Sequence, residues 1–359
     1  MPAGGPRVPG GSLFALTEPE YNPTRMHLTL LAKGVTTMPR LLIGLCLVTV
    51  LTLPGGAQAF AAEPLASLKV LIPANPGGGW DQTGRAIERT LRAEKLVTGA
   101  IQLSNKGGAG GTIGLAEFAK SKGDGKSLMV MGLVMVGAIL TNKSAVTLDA
   151  VTPIARLTSE YLVIAVPASS KIQNLKDLTE ALKKDPGATS IVGGSRGGSD
   201  HILAALVADA VGVPGSKVNY VAYAGGGEAV AALLGAQAVA GISGYGEFQA
   251  HIESGKLRAI GLSAPARIAG ISVATLKEQG VNVEFGNWRG VVAPEGISPA
   301  DRKALLDAVD AMAKSASWKA ELKKHNWDDA YLAGDGFTAF VKTSSDQTGK
   351  VLKEVGLVK

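Results

Sequence analysis

Four glycine-rich segments set the frame for this chain. They are Asn75-Pro76-Gly77-Gly78-Gly79-Trp80-Asp81, Gly107-Gly108-Ala109-Gly110-Gly111-Thr112, Gly193-Gly194-Ser195-Arg196-Gly197-Gly198-Ser199-Asp200 and Tyr223-Ala224-Gly225-Gly226-Gly227-Glu228. The first, third and fourth follow a short aliphatic or β-branched run and lead into an amphipathic stretch, and the second follows the run that ends at Ser104. That rhythm of strand, turn and helix is the pattern of a doubly wound α/β protein. Strands are expected at 68–74, 100–104, 127–131, 161–166, 189–192, 218–222, 238–242, 258–262 and 290–292, with helices between them. The clearest helix begins at Pro299 with Ser298 as N-cap, and its Leu305, Leu306, Val309, Met312 and Ala313 share one apolar face.

A glycine turn at a helix start exposes backbone N–H groups with no Cβ to block a ligand, which is the physics of an anion cradle. A tight βα turn can also use glycine for positive φ with no ligand at all, so one cluster alone decides little. Four turns at the carboxyl ends of strands would all face the crevice where ligands of open α/β sheets sit. The ligand implied carries carboxylates or phosphates.

Length and composition narrow the partners. A chain of 359 residues suggests two compact units. If the strand near Tyr161 leaves the first unit and the one near Trp288 returns to it, the second unit is an insertion joined by two crossings, which makes a hinge. The expected division is 60–166 with 289–359 as the first lobe and 167–288 as the second. The 36 basic residues are interspersed with 30 acidic ones, so the net charge of +6 marks no nucleic-acid groove. One cysteine and four histidines cannot build a disulfide framework or a structural zinc site, and neither metal nor cofactor is expected.

The segment Leu-Leu-Ile-Gly-Leu-Cys-Leu-Val-Thr-Val-Leu-Thr-Leu at 41–53, preceded by Arg40 and followed by Ala57 and Ala59, has the layout of a secretory signal. As a helix it would rise only about 20 Å, short of a hydrocarbon core of roughly 30 Å. The signal is placed at 38–59 and residues 1–37 are read as an upstream extension, with Met38 as the functional start. Cleavage after Ala59 would remove Cys46 and leave a mature chain without cysteine, as suits an oxidising compartment. Leu45 before Cys46 argues against lipid attachment, so a soluble periplasmic product is expected.

The dinucleotide pattern G-x-G-x-x-G fails because Ile113 stands where its last glycine belongs, and the P-loop fails at Lys120. Gly193-Gly194-Ser195-Arg196-Gly197 does satisfy G-x-S-x-G in a strand-to-helix context. A secreted serine hydrolase with Ser195 as nucleophile is therefore the alternative reading, with Glu247 or Asp328 as acid and His251 or His325 as base. Arg196 could instead hold a carboxylate bidentately, or be an exposed loop residue. Asp81 and Asp200 could complement their helix dipoles or accept a hydrogen bond from a ligand. Trp80 could wall a pocket or fill core, and Tyr223 could offer a hydroxyl.

The ordered blocks PANPGGGWDQTGR, NKGGAGGTIG, GGSRGGSDH, AYAGGGEAVAALLGAQ and WRGVVAPEGIS resemble the periplasmic substrate-binding subunits of the tripartite tricarboxylate transporters, from Leu68 to the C-terminus. The resemblance implies a two-lobed type II periplasmic-binding fold, α/β in class, with doubly wound sheets, two hinge crossings and a cleft that closes on one carboxylate-bearing solute. It implies that Gly77, Gly78, Gly79 and Asp81 line the first-lobe side, with Gly111 and Thr112 in support. From the second lobe, Ser195, Gly198 and Ser199 would grip a distal carboxylate, beside Tyr223, Gly225, Gly226 and Gly227. Many relatives carry a second proline in the first block, Thr before its Asp and Asp near position 243, where this chain has Asn75-Pro76, Trp80 and Ser243. An acid missing at 243 would suit a more anionic solute such as citrate, by removing one like charge. The implied role is a non-enzymatic receptor for a di- or tricarboxylate, acting as a monomer and delivering its ligand to a large and a small membrane subunit.

Overall fold

A computed structural model of the chain describes residues 63–359. The expected extension, the signal segment and Cys46 lie outside the described residues. The first half of the described chain runs β1 (Leu68–Ile72), α1 (Gly79–Ala93), β2 (Ile101–Asn105), α2 (Thr112–Phe118), β3 (Ser127–Gly132), α3 (Leu133–Asn142), β4 (Val151–Pro167) and α4 (Leu175–Lys184). There follow β5 (Ile191–Gly193), α5 (Ser199–Ala210), β6 (Tyr220–Ala222), α6 (Gly226–Leu234), β7 (Ala240–Gly244), α7 (Tyr245–Glu253) and β8 (Leu257–Leu262). The chain closes with β9 (Gly286–Pro294), α8 (Pro299–Lys314), α9 (Ala316–His325), β10 (Asp328–Ala333) and α10 (Gly334–Glu354).

The strands form two parallel clusters joined through antiparallel partners. β1 lies parallel between β2 and β3, and β5 lies parallel between β6 and β7. β9 pairs with β3 and β4, antiparallel to both. β4 is the bridge: its residues 151–161 pair with β9, while 162–167 pair with β7 and β8. The architecture is thus a two-lobed α/β fold in which one 17-residue strand belongs to both lobes.

Local sequence explains the elements. β3 and β9 are buried along their whole length, as central strands covered on both faces should be. α8 starts where Ser298 Oγ accepts a hydrogen bond from Asp301 N–H at 3.0 Å, with Pro299 in the first turn. Its Leu305, Val309, Met312 and Ala313 are buried as expected, with Ala308, while Leu306 is only partly covered. Every expected strand forms, but two are longer than their apolar runs. β4 already begins at Val151, where Thr152, Pro153, Arg156 and Glu160 break the hydrophobic pattern that would reveal it, and β9 begins at Gly286, ahead of the polar Asn287 and Arg289. β10 was not foreseen: it is an edge strand opening on two exposed aspartates and pairing with β4 through a register shift.

The point where β4 changes partners is fixed by a buried serine. Ser263 Oγ accepts from Leu162 N–H at 2.9 Å and donates to the Phe285 carbonyl at 2.6 Å. Phe285 N–H donates in turn to the Ser263 carbonyl at 3.0 Å. One side chain therefore ties both crossing segments together. Ser263→Ala leaves the buried Leu162 N–H without its acceptor and is expected to cost about 1–3 kcal/mol. Urea denaturation with an unchanged slope and a lowered midpoint would report that loss, and an unchanged midpoint would contradict it.

Candidate functional site

Three of the four glycine turns converge. Gly78, Gly79 and Trp80 at the start of α1, Gly194, Ser195, Ser199 and Asp200 at the start of α5, and Ala224, Gly225 and Gly226 at the start of α6 line one cavity of about 60 Å³. Its remaining polar lining comes from Ser243 at the end of β7, Glu247 in the first turn of α7, and Asn287 and Arg289 on β9. β1, β5 and β6 thus each deliver a helix N-terminus, with its open N–H groups and partial positive charge, to the same space.

Glycine is required here by contact. A Cβ on Gly78 would lie 2.5 Å from the Gly226 nitrogen, and one on Gly79 would collide with the Arg289 guanidinium. Beside this approach, Asn75 Nδ2 donates to Glu228 Oε1 at 2.7 Å, bonding the first turn to the third turn of the cavity. The remaining glycine turn forms a wall behind the site. Gly111, at φ +86°, lies under Trp80, where a Cβ would sit 2.6 Å from the ring, and Thr112 Oγ1 donates to the Ala109 carbonyl at 2.9 Å.

Other expected residues stand back from the cavity. Gly77 donates its N–H to Asp81 Oδ2 at 3.1 Å, and Asp81 also accepts from Arg85 Nε at 2.9 Å and Asn105 Nδ2 at 3.0 Å. Burial works to raise the Asp81 pKa, but these bonds outweigh it and hold the carboxylate low. Asp81 is saturated as a turn and helix cap. Arg196 is exposed and its side chain does not join the lining. Gly198 packs against Val134 and Ser195, and Tyr223 is half-buried, its N–H donating to the Gly193 carbonyl at 3.1 Å.

The charged heart of the cavity was largely missed in the sequence. The Arg289 guanidinium bonds the Glu160 carboxylate, and reaches Glu247 Oε1 at 3.3 Å. Asn287 Nδ2 donates to Glu160 Oε1 at 2.9 Å. Burial pushes the Glu247 pKa up to about 8, with Arg289 opposing the rise and Glu160 adding to it. Burial also lifts Asp200 to about 6, against hydrogen bonds from Gly194 N–H at 2.8 Å and Ser199 Oγ at 3.0 Å. The available signals were charged residues inside apolar strands, Glu160 and Arg289, and a glutamate four residues past Ser243.

Neither His251 nor His325 lines the cavity with Ser195, so the serine hydrolase reading finds no base there. Ser195 lines the cavity, but His201 spends Nδ1 on Gly197 N–H at 3.0 Å and stacks on Tyr220 with ring centres 4.3 Å apart. Burial, with Arg196 nearby, lowers its pKa to about 4, so it is a neutral packing group. His325 stacks on Trp327, beside Glu321 at 3.3 Å. Among the described residues there is no group of three metal-ligating side chains, and no helix is long and apolar enough to cross a membrane.

Two lobes meet at helix N-termini around a small, partly open cavity, as a solute receptor requires. The sequence model of the tripartite tricarboxylate transporter family receptor, TctC, matches residues 85–357, and the chain belongs to that family of periplasmic, non-enzymatic binding proteins. Protein BugT of Bordetella pertussis is 29% identical over 272 residues, which cover 73% of this chain and 81% of BugT. The structure of the periplasmic binding protein BugD superposes with a TM-score of 0.75 at 23% identity, covering 82% of this chain and 98% of that one. MatC of Rhodopseudomonas palustris, solved with bound malate, superposes with a TM-score of 0.70 at 21% identity, covering 80% and 98%.

Two outcomes follow from this geometry. Gly78→Ala should wedge α1 away from α6, enlarging the radius of gyration seen by small-angle scattering; a value equal to that of the parent chain would show that the contact does not hold the lobes together. Titration gives the second. Glu247 titrates from an ordinary 4.5 when unfolded to about 8 when folded, so the folded chain retains a proton that the unfolded chain has lost, and stability falls as pH rises through that window. His201 acts in the opposite direction only below 6.5. The melting temperature should therefore decline from pH 6.5 to about 8.5, and Glu247→Gln should flatten the decline.

Proposed function

We propose that the chain captures a small organic acid between its lobes and presents it to the large and small membrane subunits of a tripartite tricarboxylate transporter, after export through cleavage of the segment at 38–59. The observation that carries this reading is the convergence of the α1, α5 and α6 N-termini with Arg289 on one buried cavity. Main-chain donors and one guanidinium are what a carboxylate needs. In this reading the lobes hinge where β4 changes partners, between Tyr161 and Leu162, and where the chain returns at Phe285, each a few residues ahead of the bounds 166/167 and 288/289 expected from the sequence.

Between di- and tricarboxylates the cleft favours the smaller. A cavity of about 60 Å³ matches roughly four or five waters, so even a nine-atom dicarboxylate enters only when the lobes part. Glu247 flanks Ser243 and its carboxyl bonds that serine, but with its pKa raised to about 8 it keeps its proton at neutral pH and adds a hydrogen-bond donor there, not a second negative charge. Malate bound in the similarly folded MatC supports the dicarboxylate class.

The test is differential scanning fluorimetry of the mature chain with succinate, malate, adipate and citrate. A bound acid at 100 times its Kd adds about 2.7 kcal/mol to stability. Clear upward shifts with a dicarboxylate and a smaller one with citrate are expected; flat curves for all four would refute the receptor reading for organic acids.

A further inference from the structure

The ion cluster in the cleft straddles the parts that must move. Glu247 belongs to α7 of the second lobe, whereas Arg289 lies on β9 of the first and Glu160 on β4, two residues before that strand changes partners. Both glutamates draw on a single nitrogen: Arg289 Nη2 bonds Glu160 Oε1 and reaches Glu247 Oε1 at 3.3 Å. Glu160 takes the larger share, with a further hydrogen bond from Asn287 Nδ2 at 2.9 Å. The first-lobe turn at α1 also closes over Glu247, since a Cβ on Gly79 would lie 2.7 Å from its Oε1. All three charged side chains are buried, Glu247 with 7% exposure.

The elements packed around Glu247 bring it no further full positive charge. α5 presents Asp200, another carboxyl, and β7 presents the Ser243 hydroxyl, which bonds Glu247. α6 presents the backbone of Gly226, where a Cβ would overlap Glu247 Oε2. On α9, His325 sets its carbonyl against Gly246 and turns its imidazole to Trp327 and Glu321. On β8, Arg258 is spent on the Ile172 and Ala168 carbonyls, and Asp328 of β10 adds a like charge beside Glu160. The helix N-termini supply only partial charge. Three buried carboxyls against one guanidinium leave at least one without a countercharge, and such a group keeps a proton. Parting the lobes would carry Glu247 away from Arg289 and Gly79 and into water, where its ordinary acidity returns.

We propose that the lobes close with uptake of one proton from solvent onto Glu247, so that closure on any solute is linked to pH. This takes from the receptor reading its two hinged lobes and goes beyond it by naming what closure consumes. Burial carries the Glu247 pKa from 4.5 to about 8, so the closed form is favoured at low pH. Each pH unit between those values moves the balance toward the open form about tenfold, and the effect levels off above about 8. From pH 6.5 to 8.5 the change is about twentyfold. The other shifted groups of the site, His201 at about 4 and Asp200 at about 6, have largely titrated before this window opens.

Single-molecule energy transfer between the lobes tests it without any ligand. The chain from Phe60 onward contains no cysteine, so Lys120→Cys and Lys183→Cys, at exposed positions in the first and second lobe, accept a dye pair cleanly. With dyes that do not titrate in this range and an unchanged circular dichroism spectrum, the open-to-closed ratio of the mature chain should rise at least fivefold from pH 6.5 to 8.5. A smaller rise overturns the inference. In Glu247→Gln, whose side chain is neutral at every pH, the rise should fall below fivefold; a rise as large as in the parent removes Glu247 as the proton carrier and the inference with it. No solute enters this measurement, so its failure leaves carboxylate capture untouched, and flat melting curves with the organic acids would refute capture without altering the pH response.

Discussion

The buried guanidinium of Arg289 holds the site in its observed form. It projects from β9, bonds Glu160 on β4 and reaches Glu247 on α7, with its guanidinium carbon 5.5 Å from the Trp327 ring centre. Strand, hinge strand and second-lobe helix therefore share one charge. Breaking a pair of this kind typically costs about 3–5 kcal/mol, because the surviving partner stays out of water with its charge unmatched. Gly79 makes the arrangement possible, since any side chain there would occupy the space of the guanidinium. The glycine turn and the ion cluster are therefore one device.

The division of labour follows from the physics of each group. Helix N-termini offer partial positive charge that neither titrates nor moves, so anions can be held without a ring of lysines. That explains how a cavity with a single cation among its lining residues can serve an acidic solute. The carboxyl side chains differ from them in that they titrate, and burial raises both Glu247 and Asp200. Asp81, by contrast, is spent on the turn that presents the first helix, bonded by Gly77, Arg85 and Asn105.

Much of this was legible in the sequence, for identifiable reasons. The parallel strands read clearly because they are short, mostly apolar runs with glycine-rich turns close behind, and α8 read clearly because Ser298 and Pro299 mark its start. The convergence of three turns could be anticipated because strand order places βα turns on one edge. The long strands β4 and β9 were clipped because their functional residues, Glu160, Asn287 and Arg289, are polar and break the hydrophobic pattern that reveals a strand. The same polarity concealed the site's charge. Single letters on distant strands, 160, 247 and 289, carry no local signature of meeting, and only the tertiary fold brings them within bonding distance.

The strand common to both sheets has a mechanical consequence. β4 is hydrogen-bonded along its length, so opening cannot proceed by the free swivelling that a flexible tether would allow. An opening of the lobes would have to twist this strand, as a torsion bar twists, with Ser263 clamping the bar where the second crossing runs beside it. Such a pivot would confine opening to a narrow path. A docking partner would then meet either of two well-defined outlines and few shapes in between.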